Sequence, residues 1–499
     1  MRTNRREIAL WVGLLLFADI AASQQDLFRL TEIGTLDGSP TSPSVMSPKG
    51  HIAGTVQEDD RWVAFLWTGN EVQRLGGLGG IFNEVLDMNA AGHVVGQAEN
   101  AGGSWHAFHW NGTALMDLGT LGGDNSLAES INASGEITGR ADTSEDTFRA
   151  FYWDGATMQD IGTLGGPSSY GVAINRHGHI TGQSETSDGD LHAFLWDGVQ
   201  MRDLGTLGGT FSAPVAINSA GQVAGWSYTA EGDFRAFLWD GTEMKDLGTL
   251  GGANSSVGAM NNSGETTGSA QNARGVYRAF YSDGTEMVSL GSLAGRTTSG
   301  TAINDSGQVI GTSALSGGRS RPFFSNRGER MVDIDDVIDP SDPLQPCVSI
   351  SSAVDINNRG QIAAVGDNSC SGYSGGYLLT PLEYQVQILG PAAGSQWRRS
   401  ALVPFRIALV DRNGNRITEA RARSLLIEPC RVKFSAEGVQ PRSPVCMKYN
   451  ATTSEFYFNW SPGVNAATGT AQLLGAATYK FSMPHPTTTS KSTTITITQ

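Results

Sequence analysis

The chain has 499 residues, of which 64 are glycine, 39% are hydrophobic and 17% are charged, and its formal net charge is −15. Glycine at this level without a strict Gly-X-Y period excludes a collagen-like fibre, and 11 Trp residues argue against a disordered chain. The acidic balance argues against nucleic acid as a partner, because phosphate binding needs clustered Lys and Arg.

The N-terminus has the pattern of an export signal. Three arginines precede the apolar stretch 8–17, and small residues at 21–23 predict cleavage before Gln24. The alternative is a membrane anchor, which needs about 20 apolar residues and is therefore longer than this stretch. We expect a signal peptide at 1–23 and a mature protein that is extracellular or periplasmic, with no membrane span after cleavage.

A period of 43 residues dominates the sequence that follows. The string Leu-Gly-Thr-Leu-Gly-Gly begins at Leu118 and recurs at Leu204 and Leu247, with related copies elsewhere. Self-similarity at a fixed period is the signature of a repeat architecture. The spacing predicts eight units within residues 24–384. The glycine after the first residue of each copy stands at positions 34, 76, 119, 162, 205, 248 and 291, and the next step reaches Ile334.

Each unit predicts four short strands. An alternating segment precedes the glycine string, and a small-residue run ending in Ile-Asn follows it. A turn closing on Gly leads to a third strand such as 137–139, and a polar loop leads to a fourth such as 192–196. The Asp-Gly or Asn-Gly pair after the fourth strand predicts a type I′ hairpin turn.

Four antiparallel strands in about 43 residues have the size of a propeller blade. The units therefore predict an all-β fold, an eight-bladed β-propeller over residues 24–384. An open β-solenoid is the alternative, and seven closed blades instead of eight also stay open. The segment Leu27–Ile33 resembles the closing strand of a blade, so we expect it to complete the last blade.

One repeat position is polar in every unit and directly follows the turn glycine. If the units surround an axis, these side chains form a ring that could bind a metal or a polar ligand. The alternative is that they are solvated residues at the start of a strand. The residues at this position are His51, His93, Glu136, His179, Gln222, Glu265, Gln308 and Gln361.

Other candidate chemistry is sparse. His177 and His179 form an H-x-H pair without an evident carboxylate partner. The acidic loops 141–146, 184–190 and 229–233 could hold Ca²⁺, although none has EF-hand spacing, and no other cofactor is indicated. The His or Arg that opens most fourth strands is expected to pair with a neighbouring acid. The sequence contains no H-E-x-x-H motif and no P-loop, and we predict no catalytic or metal residues from it.

The repeat motifs resemble a known family. The pattern LGTLGG, then INxxG, then [HR]AFLW-DG is similar to the HAF-family extracellular repeat of bacterial exported proteins over roughly residues 30–330. The resemblance implies secretion and a propeller-like all-β array, and it supplies no catalytic residues. Ser47 and Tyr377 depart from the pattern, as terminal units of repeat arrays commonly do.

After the repeats, residues 385–499 predict a separate domain. Their length and strand spacing suit an immunoglobulin-like β-sandwich. The stretch Val403–Ile407 with Tyr457–Trp460 is similar to the PxKF-type tail domains of bacterial surface proteins, which implies a spacer or surface-association module. The predicted strands span 403–410, 431–434, 455–460, 477–481 and 493–497.

Charge divides the chain at the same boundary. Residues 24–385 carry a net charge of −24, whereas residues 386–499 carry +8. The basic tail could therefore dock on the acidic repeats or bind an anionic cell-surface polymer. A third interpretation is that charge only keeps each part soluble.

Four cysteines stand late in the chain, and export makes disulfides plausible. Cys347 and Cys370 are equidistant from a turn at 357–360, as cross-strand partners in a hairpin would be. Cys430 and Cys446 flank Gly438 in the same way, so we predict the pairs 347–370 and 430–446. A zinc site is the alternative, but no CxxC pair or neighbouring His supports it.

Two classes of function fit these observations. The first is an exported, non-enzymatic binding or structural protein, a monomer whose variable loops contact a cell-surface glycan or protein. The second is a propeller enzyme, a lyase or hydrolase acting on polysaccharide at the axial channel. The second predicts that His, Arg, Asp or Tyr from different blades converge at one end of the axis.

Overall fold

The computed structural model describes residues 28–382 continuously, and outside that range it describes only the strands at 11–12 and within 385–498. The described residues are almost entirely β-structure, with two short 3₁₀ helices at Ser316–Gly318 and Ile334–Val337. None of their helices is long and apolar enough to cross a membrane. The chain divides into a compact unit at Leu27–Pro381, called here the repeat domain, and a second unit formed by Met1–Asp26 with Leu382–Gln499.

The repeat domain is a series of antiparallel groups of four or five strands, called here sheets and numbered 1 to 8 in chain order of their first long strand. Sheets 4 and 5 are joined into one eight-stranded sheet by a parallel pair between Leu191 and Phe211. Sheet 1 consists of Thr35–Leu36, Ser39–Met46, Ile52–Glu58, Arg61–Trp67 and Val72–Gly76. Sheet 2 consists of Gly79–Met88, Val94–Asn100, Trp105–Trp110 and Leu115–Asp117. Sheet 3 consists of Gly122–Ile131, Ile137–Thr143, Phe148–Trp153 and Met158–Asp160. Sheet 4 consists of Gly165–Ile174, Ile180–Thr186, Leu191–Trp196 and Met201–Asp203.

The remaining sheets follow the same order of strands. Sheet 5 consists of Gly208–Ile217, Val223–Thr229, Phe234–Trp239 and Met244–Asp246. Sheet 6 consists of Gly251–Met260, Thr266–Asn272, Tyr277–Ser282 and Met287–Gly291. Sheet 7 consists of Thr298–Ile303, Gln308–Ala314, Ser320–Asn326 and Val332–Asp333. Sheet 8 consists of Val348–Ile356, Ile362–Asn368, Ser374–Pro381 and the early strand Phe28–Glu32.

The sheets are offset by one strand from the sequence repeat. The alternating segment that precedes each glycine string is the last strand of the preceding sheet, as when Met158–Asp160 pairs with Phe148–Trp153. The first copy of this segment, Phe28–Glu32, consequently has no sheet before it in the chain and pairs with Ser374–Pro381. The predicted closing strand is therefore confirmed.

Successive sheets contact each other, and the last returns to the first. The first long strand of each sheet lies against the first long strands of both neighbours, including those of sheets 8 and 1. At that junction Asp355 Oδ2 accepts a hydrogen bond from Met46 N at 3.0 Å. The first strands thus contact one another in order from sheet 1 to sheet 8 and back to sheet 1.

The aromatic residue of the AFLW motif forms the core. Phe65, Phe108, Phe151 and their equivalents through Tyr377 are completely buried. Each packs with residues of the adjoining sheet, so that Phe151 shares a cluster with Val95 and Ala107 of sheet 2. Burying a side chain of this size stabilises the fold by about 1.5–3 kcal/mol. Because each of these rings packs against the adjoining sheet, this stabilisation comes from contacts between sheets.

The glycine in the second strand of sheets 1 to 7 permits a close approach, whereas sheet 8 has Ala364 at this position. A Cβ at Gly182 would collide with the Tyr170 carbonyl oxygen and with the ring of Phe194. The first strand bulges here, since its register shifts between Gly171 and Ala173. The bulge brings the backbone of the first strand close to that of the second strand. Glycine in the Ile-Thr-Gly motif is required by this packing.

The hairpins at the Asp-Gly pairs are present, but their turn type differs from the prediction. A type I′ turn needs positive φ at both central residues, and at these pairs only the glycine has it, with Gly155 at φ 100°. Asp154 Oδ1 instead accepts the N–H groups of Ala156 and Thr157, at 2.9 and 2.8 Å. The aspartate side chain forms an Asx turn and widens the loop.

The second unit contains two four-stranded sheets and a two-stranded pair. Strands are present near all five predicted positions. The first sheet is Trp11–Val12, Ala477–Met483, Lys491–Thr498 and Gln396–Arg398. The second sheet is Gln385–Gly390, Val403–Val410, Glu455–Trp460 and Lys448–Asn450, and the pair is Lys433–Phe434 with Val445–Cys446.

One predicted disulfide is confirmed. Cys347 and Cys370 are bonded, with their Cα atoms 5.5 Å apart, next to the pair Val348 and Asn368 in sheet 8. Cys430 lies outside the described residues, so the pair Cys430–Cys446 stays a prediction.

Candidate functional site: two faces of the repeat domain

The asparagine of the INxxG motif links the sheets on one face, called here the asparagine face. Asn132 Oδ1 accepts the N–H groups of Ser134 and Glu136, each at 3.0 Å, and so closes its own turn. Its Nδ2 is then directed at the carbonyl oxygen of Asn175 in the next sheet, 3.0 Å away. Both ends of one buried amide are therefore used, one within a sheet and one between sheets.

This link recurs in seven of eight steps around the repeat domain. Each bond joins an asparagine Nδ2 to a backbone oxygen of the next sheet, and all seven asparagine side chains are buried. The bonds are Asn89 to Asn132 (3.0 Å), Asn132 to Asn175 (3.0 Å), Asn175 to Asn218 (3.1 Å), Asn218 to Asn262 (3.5 Å), Asn261 to Asn304 (2.9 Å), Asn304 to Asn357 (2.9 Å) and Asn357 to Ser47 (3.3 Å).

Sheet 1 interrupts this asparagine circuit. Ser47 stands where the other sheets have asparagine, and its Oγ accepts the N–H of His51 at 3.1 Å. The shorter side chain closes its own turn but carries no amide to donate to Asn89 of sheet 2. The departure noted in the sequence is therefore a missing bond between sheets 1 and 2.

The predicted polar ring positions lie beside this circuit. Every side chain of the set except His179 lies near the turn glycine of the following sheet. Gln361 Oε1, for example, lies beside Gly50, where an added Cβ would be 2.6 Å from it. The Gln and Glu members accept a second bond from their own asparagine, as from Asn218 Nδ2 to Gln222 Oε1 at 2.7 Å. The same role is taken by Glu265, Gln308 and Gln361 at 2.6, 2.7 and 2.9 Å, and by Glu136. Supporting the asparagine amides is thus a structural role for these five positions.

Two of these carboxylates also accept a tyrosine hydroxyl. Tyr152 donates to Glu136 Oε1 at 2.6 Å and Tyr281 donates to Glu265 Oε1 at 2.7 Å. Burial and the bond to the carboxylate raise the pKa of each tyrosine to about 12. Arg327 of sheet 7 reaches Glu265 Oε1 as well, at 3.2 Å.

The histidine members behave differently. His93 Nδ1 lies 3.3 Å from Nε2 of His109, which is buried, and burial together with His93 lowers the pKa of His109 to about 4. The Nδ1 atom of His51 is buried without a partner, and burial followed by the charges of Lys49 and Arg359 lowers its pKa. His179 lies next to His177 with ring centroids 6.0 Å apart.

The first strands carry acidic side chains that contact the next sheet. Asp87 accepts Ile131 N at 2.9 Å and Asp355 accepts Met46 N at 3.0 Å, so each carboxylate holds the backbone of the next sheet. Burial raises the pKa of both carboxyl groups, and of Glu129 nearby. Across the described ranges, no group of three or more His, Cys, Asp or Glu residues is arranged to hold a metal ion.

The His or Arg opening the AFLW strand pairs with an acid in five sheets, as predicted. His106 Nδ1 lies 2.8 Å from Asp117, and His192 Nδ1 lies 2.9 Å from Asp203. The arginine equivalents lie 3.9, 3.6 and 3.4 Å from Asp160, Asp246 and Asp333 respectively. Arg278 is the exception, because it donates to the backbone oxygens of Gly295 and Arg296.

The opposite face carries features that sequence reasoning missed. The acidic loops 141–146, 184–190 and 229–233 are hairpin tips on this face, beside aromatic side chains that are about 37% exposed. These aromatic residues are Trp62, Phe82, Phe148 and Tyr228. The available signal was the residue three positions before the Phe of the AFLW motif, which is Trp62, Trp105, Phe148, Phe234 and Tyr277 in five units.

An open cleft of about 350 Å³ lies on this face between sheets 2 and 3. Its walls include Trp105 from sheet 2 and Phe148, Arg140 and Asp142 from sheet 3. It differs from the corresponding region of sheet 5, where Trp226 occupies the register position of Arg140 and stacks on Phe211 with ring centroids 4.8 Å apart.

Comparison with known proteins bears on the fold alone. No protein-family model matches the chain, and no curated protein matches it. Solved structures similar to it include TolB from Acinetobacter baumannii, at 12% identity and a TM-score of 0.34 over 56% of this chain and 62% of that one. The chain thus spans less than two thirds of TolB. The β-propeller domain of the trilobed protease from Pyrococcus furiosus is similar at 9% identity, with a TM-score of 0.38 over 70% of this chain and 95% of that one. A lectin from Burkholderia pseudomallei is similar at 7% identity and a TM-score of 0.34, covering 61% and 97%.

Proposed function

We propose that this protein is an exported, non-enzymatic binding scaffold whose repeat domain is an eight-bladed β-propeller of the HAF-repeat type. Each of the eight sheets is one blade, and Phe28–Glu32 supplies the outer strand of the last blade. The bonds from Asn357 to Ser47 and from Asp355 to Met46 favour a closed propeller over an open solenoid. The tail is an immunoglobulin-like module for surface association.

The observation that carries this function is the contrast between the two faces. In the core, seven of the eight sheets repeat the same phenylalanine, and on the asparagine face seven of the eight repeat the same amide link. On the opposite face, one register position holds Arg140, Gln183 and Trp226 in successive sheets. A rigid frame that presents different side chains from equivalent positions is suited to binding, because the frame positions the contacts at little entropic cost.

Location outside the cytoplasm is part of the proposal. The predicted signal peptide and the bond between Cys347 and Cys370 support an oxidising compartment, extracellular or periplasmic. In such a compartment the partners available to the exposed face are cell-surface glycans and proteins.

The polysaccharide-active enzyme remains the alternative function. It is favoured by one observation, that Arg327 of sheet 7, Glu265 and Tyr281 of sheet 6 meet on the asparagine face. In the binding interpretation these groups instead hold the circuit, because Glu265 also accepts from Asn261. The two interpretations differ in whether any substrate is consumed.

The deciding experiment measures binding and turnover together. The mature chain is immobilised and exposed to isolated bacterial cell-surface polysaccharide and, separately, to cell-surface protein, while new reducing ends and new peptide ends are assayed in solution. We expect saturable binding to one of these fractions with no new ends. Formation of new ends would establish an enzyme and contradict the proposal, and absence of binding to either fraction would contradict it equally.

A further inference from the structure

We propose that the cleft between sheets 2 and 3 is a carbohydrate site that binds one neutral pyranose residue of a glycan. This inference rests on the proposed binding function and names its ligand class. At about 350 Å³ the cleft lies at the lower end of the range for small-molecule sites, about 300–1,000 Å³. It is therefore sized for a monosaccharide unit rather than for a large ligand.

Two aromatic rings form apolar walls of the cleft, and each is held by another ring. Trp105 stacks on Phe82 with centroids 5.9 Å apart, and Phe148 lies against Tyr170 at 6.1 Å. The C–H face of a pyranose is apolar and electropositive, so it packs on the electron-rich face of an aromatic ring. Rings fixed in advance lose little entropy when a sugar docks on them.

Donors and acceptors alternate around these rings. Asn125 Oδ1 accepts Trp105 N at 3.1 Å, while its Nδ2 donates to Asp142 Oδ2 at 2.9 Å, which fixes the Asp142 carboxylate. Within the continuous range 28–382, no group donates to Asp142 Oδ1. Gln97 Nε2 donates to Glu84 at 2.7 Å, which leaves the Gln97 carbonyl oxygen as a second acceptor.

Arg140 supplies the donor. Its side chain is exposed, and no described residue accepts a hydrogen bond from its guanidinium. At the same register position Gln183 donates to Ser212 O at 2.8 Å and Trp226 is stacked on Phe211, so those side chains are committed internally. A guanidinium beside a carboxylate oxygen matches vicinal hydroxyl groups, because each hydroxyl both donates and accepts.

Charge favours a neutral sugar over an acidic one. Arg140 is a single cation, whereas Asp142 lines the same cleft, Glu84 is bonded to the lining residue Gln97, and Glu129 interacts electrostatically with Arg140. A carboxylate on the ligand would meet an excess of negative charge. A peptide is disfavoured because Arg140 lies on a strand that is paired on both sides, and because the N–H of Trp105 already donates to Asn125 Oδ1.

The test uses the mature full-length chain on an array of neutral glycans, glycans with uronic or sialic acid, and peptides. Any glycan that binds is then titrated by calorimetry as the free oligosaccharide. We expect neutral glycans to bind, and Trp105→Ala and Arg140→Gln each to weaken binding at least tenfold. Trp62→Ala is the matched control. Trp62 occupies in sheet 1 the register position that Trp105 occupies in sheet 2, but it lies outside the cleft, so this substitution should leave the affinity unchanged.

Each outcome separates this inference from the proposed function. Both substitutions keep the backbone bond of residue 105, and thermal unfolding checks that each variant is folded. Binding that survives both substitutions would overturn the cleft assignment while leaving the scaffold function intact. Binding of acidic glycans or peptides alone would overturn the ligand class, and absence of any glycan binding would overturn the site. Glycan turnover would instead contradict the proposed function itself.

Discussion

At the residue scale, single positions within one repeated environment determine local chemistry. The residue following Phe in the AFLW motif is Leu195 in sheet 4 and Leu238 in sheet 5, Tyr152 and Tyr281 in sheets 3 and 6, and His109 in sheet 2. The tyrosine hydroxyls donate hydrogen bonds to a carboxylate. The Nε2 atom of His109 instead lies within hydrogen-bonding distance of His93, and its buried Nδ1 has no hydrogen-bonding partner. The same backbone site thus holds an apolar, a hydrogen-bonding or a titratable group.

His109 should make stability depend on pH. Its pKa is about 4 in the folded protein, against about 6.5 when unfolded, so the unfolded chain binds the proton first. The free energy of unfolding should therefore be undiminished above pH 6.5 and fall by up to about 3 kcal/mol as pH decreases to 4. Urea unfolding of the wild type and of His109→Leu between pH 7 and 4 measures this contribution, because Leu occupies the same position in sheets 4 and 5.

His177→Gln provides the control, since His177 is exposed. Groups with raised pKa, such as Asp87 and Asp355, act in the opposite direction but contribute equally to all three proteins. The free energy of unfolding of His109→Leu should depend less on pH than that of the wild type or of His177→Gln. An unchanged pH slope in that variant would show that His109 is not the group responsible.

At the scale of elements, strand Phe28–Glu32 joins the two ends of the repeat domain. Its residues alternate buried and exposed, and Phe28 is completely buried with its ring 5.5 Å from that of Phe324. Leu30 N also donates to Asp342 Oδ2 at 2.9 Å. The element therefore pairs with sheet 8 on one edge and seals the hydrophobic interior beside sheet 7, so that sheet 8 has no unpaired outer edge.

Removing the Phe28 ring should weaken this closure strongly. Phe28→Ala creates a cavity in a buried site, and we expect the free energy of unfolding to fall by about 3–5 kcal/mol. Arg29→Ala on the exposed side of the same strand should change it by less than about 0.5 kcal/mol. Chemical unfolding of both variants measures the difference. Equal stabilities would mean that the strand is not part of the cooperative unit.

At the scale of the whole molecule, the asparagine circuit repeats one interaction between successive sheets of the repeat domain. Seven links join eight sheets, and the eighth is missing at Ser47. Because each amide also closes its own turn, the circuit couples turn geometry to the packing between sheets. In a closed series every sheet is held from both sides, and sheets 1 and 2 are the exception on this face.

Completing the circuit should stabilise the protein. Ser47→Asn places the amide that the other seven sheets carry, and one added buried bond should raise the free energy of unfolding by about 1 kcal/mol. The reverse change, Asn175→Ser, leaves the Asn218 carbonyl oxygen without its donor and should lower it by about 1–3 kcal/mol. Thermal unfolding of the two variants tests the circuit, and a neutral or destabilising Ser47→Asn would argue against it.

Much of the repeat domain could be predicted from residue order. The period, the strand content, the buried phenylalanine, the closing strand and the pair Cys347–Cys370 all depend on spacing along the chain, which the repeat displays several times over. The type I′ turn predicted at Asp154-Gly155 was wrong. Asp154 Oδ1 accepts a hydrogen bond from Ala156 N, and this bond competes with the backbone preference of the pair. The immunoglobulin-like tail and the pair Cys430–Cys446 stay predictions.

The candidate sites depended on the tertiary structure to a greater extent. The ring positions were found as a repeat position, but only their three-dimensional neighbours reveal that five of them support the asparagine amides. The cleft joins Trp105 of one sheet to Arg140 of the next, and no local pattern places these residues together. Strand periodicity and turn chemistry act between residues close in sequence, so the sequence by itself determined the repeated frame. Contacts between neighbouring sheets join residues far apart in sequence, so only the tertiary structure decided which side chains meet.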